Sequence, residues 1–346
     1  MCEARWRAKG CLPRAPFARQ RASHMSALRF RLGTHVRKIG RAGDGGGRYA
    51  CPMNDASHLR FRRVLDHVDG HLDGDLSLET LARVASWSPS HFHRRFAALT
   101  GMTVHRYVQL SRFKRAAWQA AFRPHASLTT IALDAGYESQ DAFARAFRQR
   151  LGQSPSAFRE APDWRIWASA WQELDQVRRF HMPEGHRIDD VRVVDFSAVR
   201  VACLRHVGDP ARIGESVRRF IAWRREHGLS PSRSATWNVW HDDPETTPPE
   251  AFRLDICATC DRVDTNDAGV VASTIDGGRC AVLRHTGSDA LLGDTIRFLY
   301  GDWLTASDEE PRDAPLFVRR VAFFPDVPEH EAVTDIYLPL RDPRRG

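Results

Sequence analysis

Residues Ser127 to Arg159 read SLTTIALDAGYESQDAFARAFRQRLGQSPSAFR. The spacing predicts a helix, a sharp turn and a second helix. Ile131, Ala132 and Ala135 give the first helix a narrow apolar stripe. Gly136 supplies the backbone freedom a tight turn needs. Ser139 is placed to cap the next helix, and Phe143, Phe147 and Leu151 follow at i, i+4 and i+8. The opposite face carries Asp141, Ala144, Arg145 and Arg148. A short glycine turn followed by a helix with an arginine-bearing outer face is the pattern of a DNA-reading helix-turn-helix. An ordinary packed helix pair would share the apolar spacing.

The same pattern occurs earlier in the chain. Leu81, Ala82 and Ala85 stand 50 positions before Ile131, Ala132 and Ala135, and Phe92, Arg94, Phe96 and Gly101 stand 51 before Phe143, Arg145, Phe147 and Gly152. Core, turn and outer-face positions kept in register together mark an internal repeat. The second turn is expected to be one residue longer. Ser88 and Pro89 suit the N-cap and first position of the earlier reading helix. Ser86 stands where the second copy has Gly136, and a left-handed backbone there would cost roughly 1 kcal/mol.

LARVASWSPSHFHRRFAALTG, then RYVQLSRFKRA, then IALDAGYESQDAFARAFRQRLGQSPSAFR resemble the AraC/XylS-type DNA-binding domain over about residues 61–159. The resemblance implies seven helices, with two reading helices entering successive major grooves of double-stranded DNA. It places DNA contacts on Ser90, His93 and Arg94 in the first copy and on Gln140, Asp141, Ala144 and Arg145 in the second. Arg148 joins them on the same outer face. Arginine can fork onto guanine and glutamine can pair with adenine. Asp141 departs towards acid, and either accepts from cytosine or repels phosphate.

A length of 346 residues leaves room for two or three domains. No apolar run approaches a membrane span, and seven cysteines without secreted-scaffold spacing suggest reduced thiols in a cytoplasm. The net charge of +8 divides unevenly: residues 1–53 hold 12 Lys+Arg against 2 Asp+Glu, residues 54–162 hold 15 against 10, and the rest hold 24 against 31. The acidity of the last part argues that DNA is held by the preceding part alone. Residues 1–53 are Arg-rich and aperiodic, without an apolar signal region. They are expected to be an unstructured basic extension or an over-extended reading frame. Residues 54–162 form the expected DNA-binding domain. Phe61, Val64, Leu65 and Val68 start it as an amphipathic helix. Its histidines lack the partners of a metal set.

Trp164, Trp167, Trp171 and Leu174 predict one linker helix over residues 163–186, packed on one neighbour and broken at Met182–Gly185. From Val191 the texture changes to strands and single helices, and a second repeat appears. Leu204–Gly208 (LRHVG) recurs as Leu283–Gly287 (LRHTG), and Gly214 and Arg218 recur as Gly293 and Arg297, all 79 positions on. The expected fold class is therefore multidomain, α and α+β. An all-α double helix-turn-helix domain precedes a duplicated β-α-β-β effector-binding domain over residues 187–342. Duplicated halves leave a groove at their junction, a natural ligand site.

VRVACLRHVGD, IGESVRRFIAW, WNVWHDDPETTPPEAFRLDIC, CAVLRHTG, WLTAS and VTDIYLPL resemble the gyrase-inhibitor-like (GyrI-like) effector-binding domain, from about Val191 to Leu340. The resemblance implies a small-molecule effector in the central groove, held by aromatic walls and an acidic residue. Trp240, Trp303 and Phe317 are the wall candidates, since aromatic faces suit apolar and cationic ligands. The family's glutamate position is Val318 here, so the effector is expected to be neutral or anionic, unless Glu331 or Asp243 substitutes. Cys257 and Cys260 fall on opposite faces of an alternating strand, which argues against a metal or redox CxxC. No catalytic set, metal site or cofactor motif stands out. The expectation is thus a cytoplasmic, ligand-responsive transcription regulator, not an enzyme, whose partners are DNA, a small-molecule effector and, as one option, RNA polymerase. Its alternatives are a small hydrolase-like activity in the groove, or a DNA-binding protein whose groove is a relic.

Overall fold

A computed structural model of the chain describes residues 55–181 and 185–342. The expectations for residues 1–53 and for the break after the linker at 182–184 lie outside the described residues. The DNA-reading part comprises α1 (Asp55–Gly70), α2 (Leu78–Val84), α3 (Pro89–Thr100), α4 (Val104–Phe122), α5 (Leu128–Asp134), α6 (Gln140–Leu151) and α7 (Pro155–Glu160). From α2 onward each helix starts on a hydroxyl cap. The side chains of Ser77, Ser88, Thr103, Ser127, Ser139 and Ser154 each accept a backbone N–H three residues on. Both reading helices, α3 and α6, end on a left-handed glycine, Gly101 (φ 72°) and Gly152 (φ 70°).

Helix α4 joins two small aromatic cores. Its Tyr107 meets Phe96, which packs on Phe61 and Phe92, at centroid distances of 5.6, 5.2 and 5.7 Å. Its Phe113 lies 6.0 Å from Phe143 and 5.3 Å from Phe147. The reading helices are thus held from behind by the residues of the apolar stripes.

The single linker helix is instead two, α8 (Trp164–Ser169) and α9 (Gln172–His181). Trp164, Trp171, Leu174 and Val177 are buried in the same core as the seven preceding helices. The aromatic stripe therefore packs into the DNA-reading part on one side. On the other side it meets the following domain, where a Cβ on Gly214 would fall 2.2 Å from the Trp164 ring. The stretch is a wedge between two neighbours, and the repeated tryptophans needed two surfaces to cover them.

The second part is an eight-stranded antiparallel sheet in the order β1-β6-β8-β7-β3-β4-β2-β5. Its elements are β1 (Arg192–Phe196), β2 (Val199–Val207), α10 (Ile213–Glu226), β3 (Thr236–Trp240), β4 (Arg253–Thr259), β5 (Val271–Ile275), β6 (Gly278–Thr286), α11 (Leu292–Phe298), β7 (Leu316–Ala322) and β8 (Val333–Pro339). Starts at 192 and 271, 199 and 278, 213 and 292 keep the offset of 79; starts at 236 and 316, 253 and 333 move it to 80. The repeat thus holds for whole elements. Each half also has a leading strand, and the two halves exchange them: β1 pairs with β6 and β5 pairs with β2.

Side-chain alternation divides the sheet into two packed faces. One lies under the helices: Leu204, Leu254 and Ile256 pack with Phe220 and Trp223 of α10, and Leu283, Val318 and Ile336 pack with Leu292 of α11 and with Leu299 and Trp303. The other is filled by its own residues. Phe196, Trp237, Phe317 and Tyr337 gather there, with Phe317 stacked on Tyr337 at 4.9 Å. His206 and His285 are buried beside the glycine turns, and each ring contacts one hydroxyl, Ser216 at 3.0 Å and Thr295 at 2.8 Å.

Charge ties the two parts together. Buried Arg178 of α9 bonds Asp69 of α1 at 2.7 Å and also Glu329, in the turn between β7 and β8. Lys114 of α4 reaches Glu329 at 3.0 Å and Asp175 at 3.2 Å. Burial would raise the Glu329 carboxyl, but Arg178, Lys114 and the Ser288 hydroxyl outweigh it and hold it down at about 2. Asp69 is pushed up, by burial first and then by Glu329.

Candidate nucleic-acid interface and effector groove

The two turns have the expected lengths. Four residues separate α2 from α3 (85–88) and five separate α5 from α6 (135–139). Each turn closes the same way: Trp87 N–H donates to Ala82 O and Tyr137 N–H to Ala132 O, both at 3.0 Å. Gly136 adopts φ +81°, and Ser86 adopts φ +56°, the strained value anticipated for it.

The structure exposes Ser90, His93 and Arg94 on α3 and Gln140, Asp141, Arg145 and Arg148 on α6, with Ala144 half-buried among them. Phe92, Phe96, Phe143 and Phe147 point the other way and are fully buried. Among the described residues Arg94, Arg145 and Arg148 form no ion pair, so their guanidinium groups are free to meet phosphate or a base edge. Arg94 Nε donates to Ser90 O at 3.3 Å along its own helix. Asp141 lies in the first turn of α6, where its charge complements the helix dipole. Sequence reading missed Thr129, whose hydroxyl donates to Gln140 Oε1 at 2.8 Å and fixes that side chain at the head of α6. It also missed Arg112, which binds Leu72 O and Gly74 O and passes behind Gly136. Neither contact leaves a local pattern, because each joins residues from separate elements of the chain.

The two halves meet at the central strand pair, β3 and β7, where the groove is expected. On the helix side of that pair Thr236, Asn238 and Trp240 stand opposite Arg320, Val318 and Leu316. Trp240 packs against the cores under both helices, and its indole N–H is buried without a partner among the described residues. It is the predicted wall residue best placed at the junction.

The other effector candidates are not gathered there. Val318 does sit on β7, but it is 1% exposed in the core under α11. Trp303 is core of the same cluster, because the π turn Leu299–Trp303 rotates it inward. Phe317, one residue from Val318, necessarily projects through the opposite face of the sheet, onto Phe196 and Tyr337. Glu331 lies exposed beside His330 at 3.6 Å, at the domain junction. Asp243 accepts the Glu245 N–H at 2.9 Å in a loop. Neither acid lies on β3 or β7. Asn238, unnoticed in the sequence, is a polar residue of that pair. Cys257 faces its cross-strand partner Cys203, whose contact together with burial pushes the thiol up; Cys260 is at the strand's end. Among the described residues no group of three or more His, Cys, Asp or Glu could hold a metal, and no helix is long and apolar enough to cross a membrane.

Comparison with known proteins adds the following. Residues 189–341 match the family described as GyrI-like small molecule binding domain, and residues 81–161 match a helix-turn-helix domain family. A protein of Escherichia coli K12 described as "Probable transcriptional regulator YgiV" is 41% identical over 153 residues, 44% of this chain and 96% of that protein. The right origin-binding protein of the same organism is 36% identical over 128 residues, 36% of this chain and 42% of its own length. A solved hydrolase from Listeria innocua matches 48% of this chain and 97% of its own at 11% identity and a TM-score of 0.33, a likeness too weak to bear on chemistry.

Proposed function

Because the chain belongs to the AraC-type helix-turn-helix regulators that carry a C-terminal GyrI-like small-molecule binding domain, we propose that it reads an asymmetric DNA site with α3 and α6 and adjusts that reading to a bound effector. The observation that carries the DNA reading is the repeat of an exposed, unpaired arginine, Arg94 and Arg145, at one position of two capped helices. Ser90, His93, Gln140, Asp141, Ala144 and Arg148 surround these two as the remaining contacts. Both reading helices belong to one chain, so a palindrome is not needed, and the two contacted segments should lie about one helical turn apart. The effector acts by binding one arrangement of the two parts better than the other, which shifts their populations. Contact with RNA polymerase and a cytoplasmic location belong to the same reading.

Selection of duplexes from a random pool by the full chain tests this. The expected outcome is one asymmetric motif with two specified segments about 10 base pairs apart. A pool that emerges without enrichment would remove the sequence-specific reading.

In the groove we read binding, without turnover. The helix side of the central strand pair carries an amide at Asn238, the apolar Val318 and Leu316, a Thr236 hydroxyl that accepts from Arg224, and Arg320 paired with Asp289, which supports binding over turnover. Hydrolysis of small activated esters, lost on Asn238→Ala, would turn the reading towards an enzyme.

A further inference from the structure

A second place for a small molecule lies outside the groove. A cavity of about 620 Å³ separates α4, α8 and α9 from the start of α10 and the turns near Ser288 and Glu329. That volume falls within the usual range for small-ligand sites. Six aromatic rings border it, running in contact across both parts. Phe324 lies 6.4 Å from Trp118, Trp118 is 4.8 Å from Phe122, and Phe122 is 5.5 Å from Trp164. Trp164 is 5.9 Å from Trp167, which is 5.4 Å from Trp171.

We propose that this aromatic cavity binds a flat, uncharged molecule. The charge class follows from the walls. Four ionisable side chains line the cavity, and each already has a partner: Lys114 with Asp175 and Glu329, and Asp289 with Arg320 at 2.7 Å. A charged guest would lose hydration without gaining a free counter-ion. The flatness follows from the rings, which reward stacked area.

The cavity also reaches the second reading helix. Trp167 stacks on Phe158 at 5.6 Å, and Phe158 contacts Phe147 of α6 at 5.2 Å. Arg150 of α6 lies over the Trp171 ring at 5.8 Å. A guest that shifts either tryptophan would therefore act on α6 directly. That consequence rests on the DNA reading given above; the binding does not.

The test uses the full chain and prodan, an uncharged flat naphthalene ketone with environment-sensitive emission. The control is 6-dimethylaminonaphthalene-2-sulfonate, an anion built on the same rings. Prodan should give a saturable, blue-shifted signal, and the sulfonate should bind at least tenfold more weakly. Ala168→Trp and Ala290→Phe, which add bulk to the lining, should each weaken prodan about tenfold without moving the unfolding midpoint. Trp240→Phe, in the groove over the sheet, should change nothing. Absence of a saturable signal, indifference to both bulky variants, or loss on Trp240→Phe would overturn the proposal. Prodan binding with these responses in a chain that binds no specific DNA would keep the cavity and sink the regulator reading.

Discussion

Ser86 and Gly136 occupy one turn position in two copies of the same motif, and only the glycine is at ease there. Both have positive φ, +56° and +81°, and both turns close with equivalent hydrogen bonds. The serine therefore carries strain of about 1 kcal/mol. Ser86→Gly should stabilise the chain by about 0.5–1 kcal/mol, part of the gain being offset by a freer unfolded chain, as read from chemical denaturation. Gly136→Ser should do the reverse and more, since its Cβ would come 3.2 Å from the Arg112 guanidinium. On the outer face the arginines separate by role. Arg94→Ala and Arg145→Ala should each cost about 1–3 kcal/mol of DNA affinity and relax one base position. Arg148 has no arginine counterpart in the first copy, where Ala97 stands; if it meets phosphate, Arg148→Ala should weaken all sequences alike and lower the salt slope by about one. Fluorescence anisotropy across a set of singly substituted operators measures both.

Among the elements, α10 and α11 show how one duplicated helix is put to two uses. Val217 and Ile221 of α10 pack into the core of the DNA-reading part, and Arg218 donates to Arg159 O at 2.7 Å and Glu160 O at 3.2 Å. The equivalent Arg297 of α11 pairs within its own domain, with Glu245 and Asp294. Gly214 is consequently pressed by the Trp164 ring, whereas a Cβ at Gly293 would meet nothing nearer than Arg297 at 3.6 Å. Gly214→Ala should cost about 1–3 kcal/mol by overpacking, and Gly293→Ala should be neutral or stabilising by roughly 0.5 kcal/mol. Equal effects in thermal unfolding would refute this asymmetry. The repeat itself was legible, because glycines, histidines and arginines kept one offset. The leading strands β1 and β5 were not, since their largely exposed faces carry little alternation and each pairs with the other half. The wall residues were misplaced for a related reason. Both faces of the sheet are apolar, so alternation alone cannot say whether Phe317 or Val318 faces a ligand.

Across the whole molecule the cluster of Asp69, Lys114, Arg178 and Glu329 joins what reads DNA to what is built for an effector. It was invisible in the sequence because its members come from four separated segments. One buried cation, Arg178, serves two carboxylates, so Arg178→Met should leave Asp69 without a counter-ion and Glu329 with Lys114 alone, and cost about 3–5 kcal/mol in denaturant unfolding. The sign of the pH effect follows from Glu329. Its carboxyl sits at about 2 in the folded chain against an ordinary 4.5, so the folded form favours the ionised group. That contribution is complete above 4.5 and is lost as pH falls towards 2. Asp69 is shifted upward and works in the opposite sense, since its protonation on acidification relieves the folded state. The comparison that isolates Glu329 is therefore the chain against Glu329→Gln. The unfolding midpoint of the parent should drop more steeply than that of the variant between pH 4.5 and 2, while above pH 5 the variant should be the weaker by a constant amount. Parallel curves over the whole range would mean that Glu329 is not the carboxylate Arg178 and Lys114 hold ionised, and that the two parts are joined chiefly by the tryptophans of α8 and α9.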